Sequence, residues 1–235
     1  MNSPQDQKKI LSIDIGGSGV KACLINQDGK ILMDYKKLNT PHPADPENVL
    51  QVIKTLANNF QGFDFVSAGF PGYVRDGIVH TAPNLDSESW KLININERLS
   101  ATLGKPARVV NDADLQGLGI AKGKGLEMIM TLGTGFGTAI LNNGILLPHL
   151  ELAHLPATKS KDFDAYIGNL ALKEIGELRW NKRMEKVLHI FRTVVNYDQL
   201  FISGGNAKKL SFQLDENVRI ISNKEGIVGG AKLWA

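Results

Sequence analysis

Apolar residues recur along this chain with two different periods, and the switches between them outline its elements. Lys9 to Ile15, Val20 to Ile25 and Lys30 to Tyr35 alternate or run apolar, parted by Gly16–Gly19 and by Gln27–Asp28–Gly29, which predicts a three-stranded meander. Asp45–Pro46–Glu47 then starts a helix, with proline at the first helical position and Val49, Leu50, Val52, Ile53, Leu56, Ala57 and Phe60 on one stripe. Phe63 to Gly69 predicts a buried strand. Pro71–Gly72, Asp76–Gly77 and Pro83–Asn84 mark a looped excursion, a short helix covers Asn96 to Leu103 before Gly104, and Ala107 to Asn111 is another strand. Asp112–Ala113–Asp114 opens a helical stretch that ends near Gly123.

The pattern then begins again. Glu127 to Leu132, Gly137 to Leu141 and Ile145 to Leu147 predict a second meander, turned at the glycines near 133–137 and at Asn142–Asn143–Gly144. Ile13–Asp14–Ile15–Gly16–Gly17 aligns with Met130–Thr131–Leu132–Gly133–Thr134, about half a chain away, which argues for a duplicated domain core. Trp180, Met184, Val187, Leu188, Phe191, Val194 and Val195 keep helical spacing. Gln199 to Ile202 is a strand running into Ser203–Gly204–Gly205, from which a helix is expected to start. A strand near Val218 to Ile221 and a glycine-broken helix, Ile227 to Trp234, follow. The fold class is α/β, in two domains, 1–110 and 111–235, with the C-terminal helix free to pack back on the first.

Composition narrows the function classes. The chain has 235 residues, 43% hydrophobic and 22% charged, which describes a globular protein rather than a disordered or fibrous one. Lys plus Arg 27 against Asp plus Glu 24 leaves a net charge of +3, too little for a dedicated nucleic-acid binder. The single cysteine, Cys23, excludes an internal disulfide and a cysteine-rich zinc site, and fits a reducing compartment. Met1 to Lys9 lacks the apolar core of a signal peptide, and no apolar run of about 18 residues occurs. A cytoplasmic protein with neither nucleic acid nor membrane as partner is expected.

Glycine is the informative excess, 24 residues or about 10% against an average of about 7%. Its clusters at Gly16–Gly19, Gly133–Gly137, Gly204–Gly205 and Gly229–Gly230 suit concave anion sites built from successive backbone N–H groups, or simply tight turns. Gly17–Ser18–Gly19–Val20–Lys21–Ala22 fits a dinucleotide fingerprint formally, yet a strand follows where that motif opens a helix. No Walker A string exists, since Gly123–Lys124 is followed by Gly125. Two β-hairpins with glycine tips remain, Asp14–Gly19 and Thr131–Gly137.

Those residues carry a resemblance. Asp14–Ile15–Gly16–Gly17–Ser18–Gly19–Val20–Lys21 resembles the first phosphate loop of the actin-like sugar kinases of the ROK family. Thr131–Leu132–Gly133–Thr134–Gly135–Phe136–Gly137–Thr138–Ala139 is similar to the second hairpin of the family's polyphosphate-type glucokinases. The likeness continues through Phe70–Pro71–Gly72, Asn111–Asp112–Ala113–Asp114, Glu151–Leu152–Ala153–His154 and Gly226–Ile227–Val228–Gly229, over nearly the whole chain. It implies an actin-like ATPase (ribonuclease H-like) fold, two duplicated domains flanking a cleft, and a homodimer. The implied activity is transfer of a phosphoryl group from polyphosphate or ATP to the 6-hydroxyl of glucose, with Mg²⁺. The cysteine-rich zinc motif of many relatives is absent, so no zinc is expected, and Ala153 stands where the sugar motif usually has glycine.

Phosphoryl transfer needs an in-line acceptor, a base for its proton and positive potential on the moving group. By residue pattern alone Asp112 reads as a helix cap; the resemblance makes it the general base. Asp14, at a strand end beside a glycine tip, is a turn residue or the carboxylate that holds Mg²⁺ through water. The resemblance assigns donor phosphates to Gly16, Gly17, Ser18, Gly19 and Lys21, and to Thr131, Gly133, Thr134 and Gly135, with Gly204 and Gly205 as a further amide cluster or a plain turn. It places Asn111, Asp112, Glu151, His154 and Asn84 on the sugar. Trp90 either covers the sugar or packs in the core. A polyphosphate donor requires a basic track, for which Lys159, Lys161, Lys182, Arg183, Lys186, Lys208 and Lys209 are candidates, or else these are solvated helix faces. An ATP-dependent kinase for another hexose, a non-catalytic sugar binder and a sugar-sensing regulator are the competing readings. Asp14 comes too early to leave room for the DNA-binding domain that regulators of this family carry ahead of it.

Overall fold

The computed structural model describes residues 7–222 and 226–235. The opening meander is β1 (Lys9–Ile15), β2 (Gly19–Asn26) and β3 (Ile31–Asn39), followed by α1 (Pro46–Ala57), β4 (Phe65–Phe70), the small hairpin β5 (Val74–Arg75) and β6 (Ile78–Val79), α2 (Ser87–Trp90), α3 (Ile95–Leu103), β7 (Ala107–Asn111) and α4 (Asp112–Ile120). The second half runs β8 (Leu126–Leu132), β9 (Phe136–Asn142), β10 (Ile145–Leu146), α5 (Phe163–Ile167), α6 (Asn169–Val195), β11 (Gln199–Ser203) and β12 (Val218–Ile220), with 3₁₀ turns at Leu152–His154, Ala207–Lys209 and Ile227–Trp234.

The duplication read from the sequence is visible in the strand orders. One five-stranded sheet is ordered β3-β2-β1-β4-β7 and the other β10-β9-β8-β11-β12. In each, an antiparallel meander is extended by parallel strands. The chain divides into two compact units, Met1–Gly119 with Gly226–Ala235, and Ile120–Glu225. The division falls after Gly119, where the pattern of elements had suggested Val110, because α4 packs back on its own sheet: a Cβ on Gly69 of β4 would stand 3.1 Å from Leu115 Cδ2.

Local chemistry explains the helix ends in the first unit. Asp45 accepts from the N–H of Asn48 and Pro46 occupies the first turn of α1, whose Val49, Leu50, Ile53 and Leu56 are buried. Asn94 caps α3 in the same way, and Gly104 ends it at φ +65°. Leu11, Ile13 and Ile15 of β1 form one core with these helices and with Phe70 and Trp90. On the other face of the sheet the buried hydroxyls of Ser12 and Ser67 donate to the carbonyls of Ile227 and Gly230, 2.6 Å each. Trp234 stacks on Phe65 at 4.3 Å, donates from Nε1 to Ser67 and lies under the Arg108 guanidinium.

In the second unit Met128, Met130 and Leu132 of β8 pack against Trp180, Met184, Val187 and Phe191 of α6. Trp180 Nε1 donates to the Ile167 carbonyl at 2.7 Å, fixing α6 against α5. Gly176, at φ +76°, interrupts α6. The helix expected after Gly205 is a single 3₁₀ turn, Ala207–Lys209. Gly204 is in the left-handed region, φ +98°, and a Cβ there would lie 2.2 Å from the Leu132 carbonyl oxygen, so this glycine serves a close strand-end approach instead of opening a helix. Among the described residues no helix is long and apolar enough to cross a membrane.

Candidate functional site

Strands β1, β4 and β7 run parallel, and their carboxyl ends collect the candidate residues of the first unit, as open α/β sheets commonly do. Asp14 lies directly opposite Gly69 in the β1–β4 register, so both point to one face. A Cβ on Gly69 would meet Asp112 Cα at 3.0 Å. The missing side chain therefore lets the first turn of α4 rest on β4 and brings Asp112 beside Asp14. On the other side of Asp14 the register sets Lys21, whose Nζ lies 3.4 Å from Asp14 Oδ2. Asp112 is the first residue of α4 and half-buried, and its Oδ1 accepts from the N–H of Ala113; the cap expected of it is supplied instead by Asn111, whose Oδ1 takes the Ala113 and Asp114 N–H groups.

Asn111 is buried. Its Nδ2 donates to the Gly72 carbonyl at 3.0 Å and its Oδ1 accepts from the N–H of Ala113 and Asp114. It ties the Phe70–Gly72 turn to the start of α4. Asn84 is exposed and abuts the first glycine tip: a Cβ on Gly17 would stand 2.9 Å from its carbonyl oxygen. Gly16 donates to Gly19 across the tip, Thr40 Oγ1 donates to the Gly16 carbonyl, and Ser18 is exposed. Trp90 is fully buried, donates to the Ala44 carbonyl and meets Phe70 edge-on, which makes it a core residue.

The second hairpin tip, Gly133–Gly135, is braced from three directions. Asp164 Oδ1 accepts from the N–H of Phe136 at 2.7 Å, the N–H of Asn169 donates to the Thr134 carbonyl, and Asn206 Nδ2 donates to that of Gly133. Thr134 is exposed, Thr131 half-buried and paired with Ser203 in the ladder, and Gly205 exposed beside Gly204. Glu151 and His154 face each other across the 3₁₀ turn at 4.0 Å. Their partners went unread in the sequence: His149 Nε2 lies 3.5 Å from Glu151, and Asp162 Oδ2 lies 2.9 Å from His154 Nδ1. The contact with His149, followed by the charge of His154, holds the Glu151 carboxyl below the usual range against the opposing effect of burial. Asp162, then Glu151, push His154 up. Burial works against ionisation of Asp162, and the hydrogen bonds from His154 and from the Ala165 N–H outweigh it. The Ala153 methyl, a candidate for crowding the sugar, is buried in the hydrophobic core of its unit.

Three of the seven candidates for the basic track have partners within their own unit. Lys161 pairs with Glu174 at 3.9 Å, Lys209 with Glu177 at 3.3 Å, and Arg183 lies over the Tyr166 ring and donates to its carbonyl. The Gly123–Lys124 segment does form a nest of amides, but it encloses the buried Glu127 carboxylate, which accepts from the N–H of Lys122, Gly123 and Lys124. Cys23 is buried, and burial, with Asp34 adding, pushes its thiol up to about 12, so it is no nucleophile.

Solved structures share this architecture. A ROK family glucokinase from Streptomyces griseus superposes with a TM-score of 0.78 over 97% of this chain and 98% of its own, at 19% identity, and the fold is the actin-like ATPase fold. The chain belongs to the ROK family, which residues 10–154 match. It is 34% identical over 96% of its length, and 86% of the relative's, to a polyphosphate glucokinase of Mycobacterium tuberculosis. An inorganic polyphosphate/ATP-glucomannokinase from Arthrobacter sp. strain KM superposes with a TM-score of 0.86 at 29% identity, covering 96% of this chain and 98% of its own.

Proposed function

We propose that this chain is a sugar kinase that moves a phosphoryl group from polyphosphate or ATP to the 6-hydroxyl of glucose. The observation that carries it is the seating of Asp112 over Gly69, beside Asp14 and the glycine hairpin, in a chain similar to polyphosphate glucokinases over 96% of its length. Asp112 takes the proton of the sugar hydroxyl as its oxygen bonds to the terminal phosphorus, and the bond from that phosphorus to the bridging oxygen breaks, leaving a shortened donor. Asn111 orients Asp112 through its bonds to the Ala113 and Asp114 N–H groups. Lys21 and the tip Gly16–Gly19 meet the donor's charge in the first unit, and Thr131, Gly133, Thr134 and Gly135, with Gly204 and Gly205, do so in the second. Asn84, Glu151 and His154 bind sugar hydroxyls, the last as a donor while protonated.

Asp14 fits a magnesium site of the kind that uses a single carboxylate, water and the substrate's own phosphates: it is half-exposed and only one of its oxygens faces Lys21. When bound, the ion would neutralise charge on the transferring group. The same reading includes a homodimer acting in the cytoplasm. The likeness to the Arthrobacter glucomannokinase supports mannose as a second acceptor for this chain.

Glucose phosphorylation with Mg²⁺, using ATP and long-chain polyphosphate in parallel, tests the proposal. The Asp112→Asn variant should lose about 10²- to 10⁴-fold in kcat while still binding glucose. Undiminished turnover in that variant would remove Asp112 as the base; no turnover of any hexose by the parent would remove the kinase.

A further inference from the structure

We infer that Lys37, on the edge strand β3, anchors the part of a linear polyphosphate chain that is not being transferred; this rests on the kinase reading above. The strand register lays four groups out in series across one face: Asp112 over Gly69 on β4, Asp14 on β1, Lys21 on β2 and Lys37 on β3. Neighbouring strands are about 4.8 Å apart, so the row leads outward from the proposed base in even steps to the edge of the sheet. Lys21 and Lys37 are direct cross-strand partners, a pairing of like charges that is unfavourable by itself. Lys21 has Asp14 as its counter-charge, whereas among the described residues no carboxylate forms an ion pair with Lys37.

Gly19 shows where the Lys37 head group sits. A Cβ at Gly19 would lie 2.4 Å from Lys37 Cε and 3.2 Å from its Nζ. The space above the glycine tip is thus taken by the lysine stem, and the ammonium rests on the phosphate hairpin itself. β3 is exposed along most of its length, so a long anion leaving Lys37 passes into solvent without obstruction by its own strand. The recognised chemistry is a repeating phosphoanhydride with negative charge at every step. Neither lysine offers a surface for a nucleobase, so the anchor favours polyphosphate over ATP.

The test measures Kd and KM of the full chain for long-chain polyphosphate and for MgATP at several salt concentrations, in the parent, Lys37→Gln and Lys37→Arg. Loss of one charge-assisted contact should weaken polyphosphate about tenfold in Lys37→Gln and flatten its salt dependence. The KM for glucose should stay unchanged and the melting temperature should not fall, since the Lys21–Lys37 repulsion is relieved; MgATP should move far less, and Lys37→Arg should recover most of the loss. Unaltered polyphosphate binding in Lys37→Gln, or an equal loss for both donors, overturns the inference. A parent enzyme that phosphorylates glucose with ATP but ignores polyphosphate overturns it too while leaving the kinase intact, and a parent inactive with every donor and hexose fails the kinase reading instead.

Discussion

Replacing Gly69 by alanine adds one methyl group at the point where α4 rests on β4. Carbon atoms in contact sit at about 3.5–4.0 Å, and the new Cβ would find Asp112 Cα at 3.0 Å and Leu115 Cβ at 3.3 Å. The shortfall against the Asp112 backbone is about 0.5–1 Å. A flexible side chain could swing away, but a backbone Cα moves only with its helix, so the first turn of α4 must lift by several tenths of an ångström. Two consequences have different sizes. Overpacking costs about 1–3 kcal/mol, set against the roughly 0.4–1 kcal/mol that alanine returns by stiffening the unfolded chain, so the net destabilisation spans about 0–2.6 kcal/mol and centres on about 1 kcal/mol. The shift also carries the Asp112 carboxylate off its aim. Since misplacement by about 1 Å costs near 10²-fold, half of it should cost about tenfold in kcat. Stopped assays of glucose phosphorylation at saturating donor, alongside a thermal melt, read both effects. A variant with a lowered melting temperature but full kcat would show that the close seating of α4 on Gly69 does not position the base. A variant unchanged in both would refute the packing argument altogether.

Two further outcomes follow from the same geometry. His154 titrates above its ordinary range in the folded protein, so its contribution to stability is complete below the unfolded value of about 6.5 and disappears as pH rises through the folded value, whereas Glu151 and Asp162, both lowered, contribute above the unfolded carboxylate range and fail only in acid. The melting temperature of His154→Gln should therefore converge with that of the parent on the alkaline side and fall short of it near pH 6; parallel curves would disprove the coupling. Trp234→Ala removes the stack on Phe65, the Arg108 contact and the bond to Ser67, and should cost about 2–4 kcal/mol in urea unfolding, with less than 1 kcal/mol speaking against the packing described.

Much of the architecture was legible because both meanders alternate cleanly and their turns carry glycine, and because Pro46 and Gly104 mark helix ends. The apolar pattern predicts β3 only as far as Tyr35, short of Asn39, since an exposed edge strand has no buried face to impose a pattern on Lys36, Lys37 and Asn39. Helical spacing marks α6 only from Trp180 onward: Leu170 and Leu178 are exposed, and Gly168 and Gly176 break the rhythm ahead of the regular stripe. The helix expected after Gly205 failed because Gly204 serves the carbonyl of a neighbouring strand, which no local pattern reveals. In the site, Asp14 and Asp112 stood out at strand ends. Gly69, Lys37, Asp162 and Asp164 did not, since each acquires its meaning from a partner that is distant in sequence or lies across a strand pairing. Of the residues that sequence proximity suggests as a track, Lys161 and Lys209 have carboxylate partners and Arg183 an aromatic one, all within their own unit.

The return of Gly226–Ala235 to the first unit bears on how the protein is made. A ribosome delivers the whole of Ile120–Glu225 before those residues emerge, so the inserted unit can condense while the earlier one is still waiting for its last piece. Until then the hydroxyls of Ser12 and Ser67 lack the carbonyls of Ile227 and Gly230, and Ile10, Cys23 and Ile25 have no cover from Ile227 and Ala231. The half-built sheet is a sticky, under-satisfied surface during synthesis, and nascent chains of this protein are expected to be clients of holding chaperones until Gly226–Ala235 has emerged and docked.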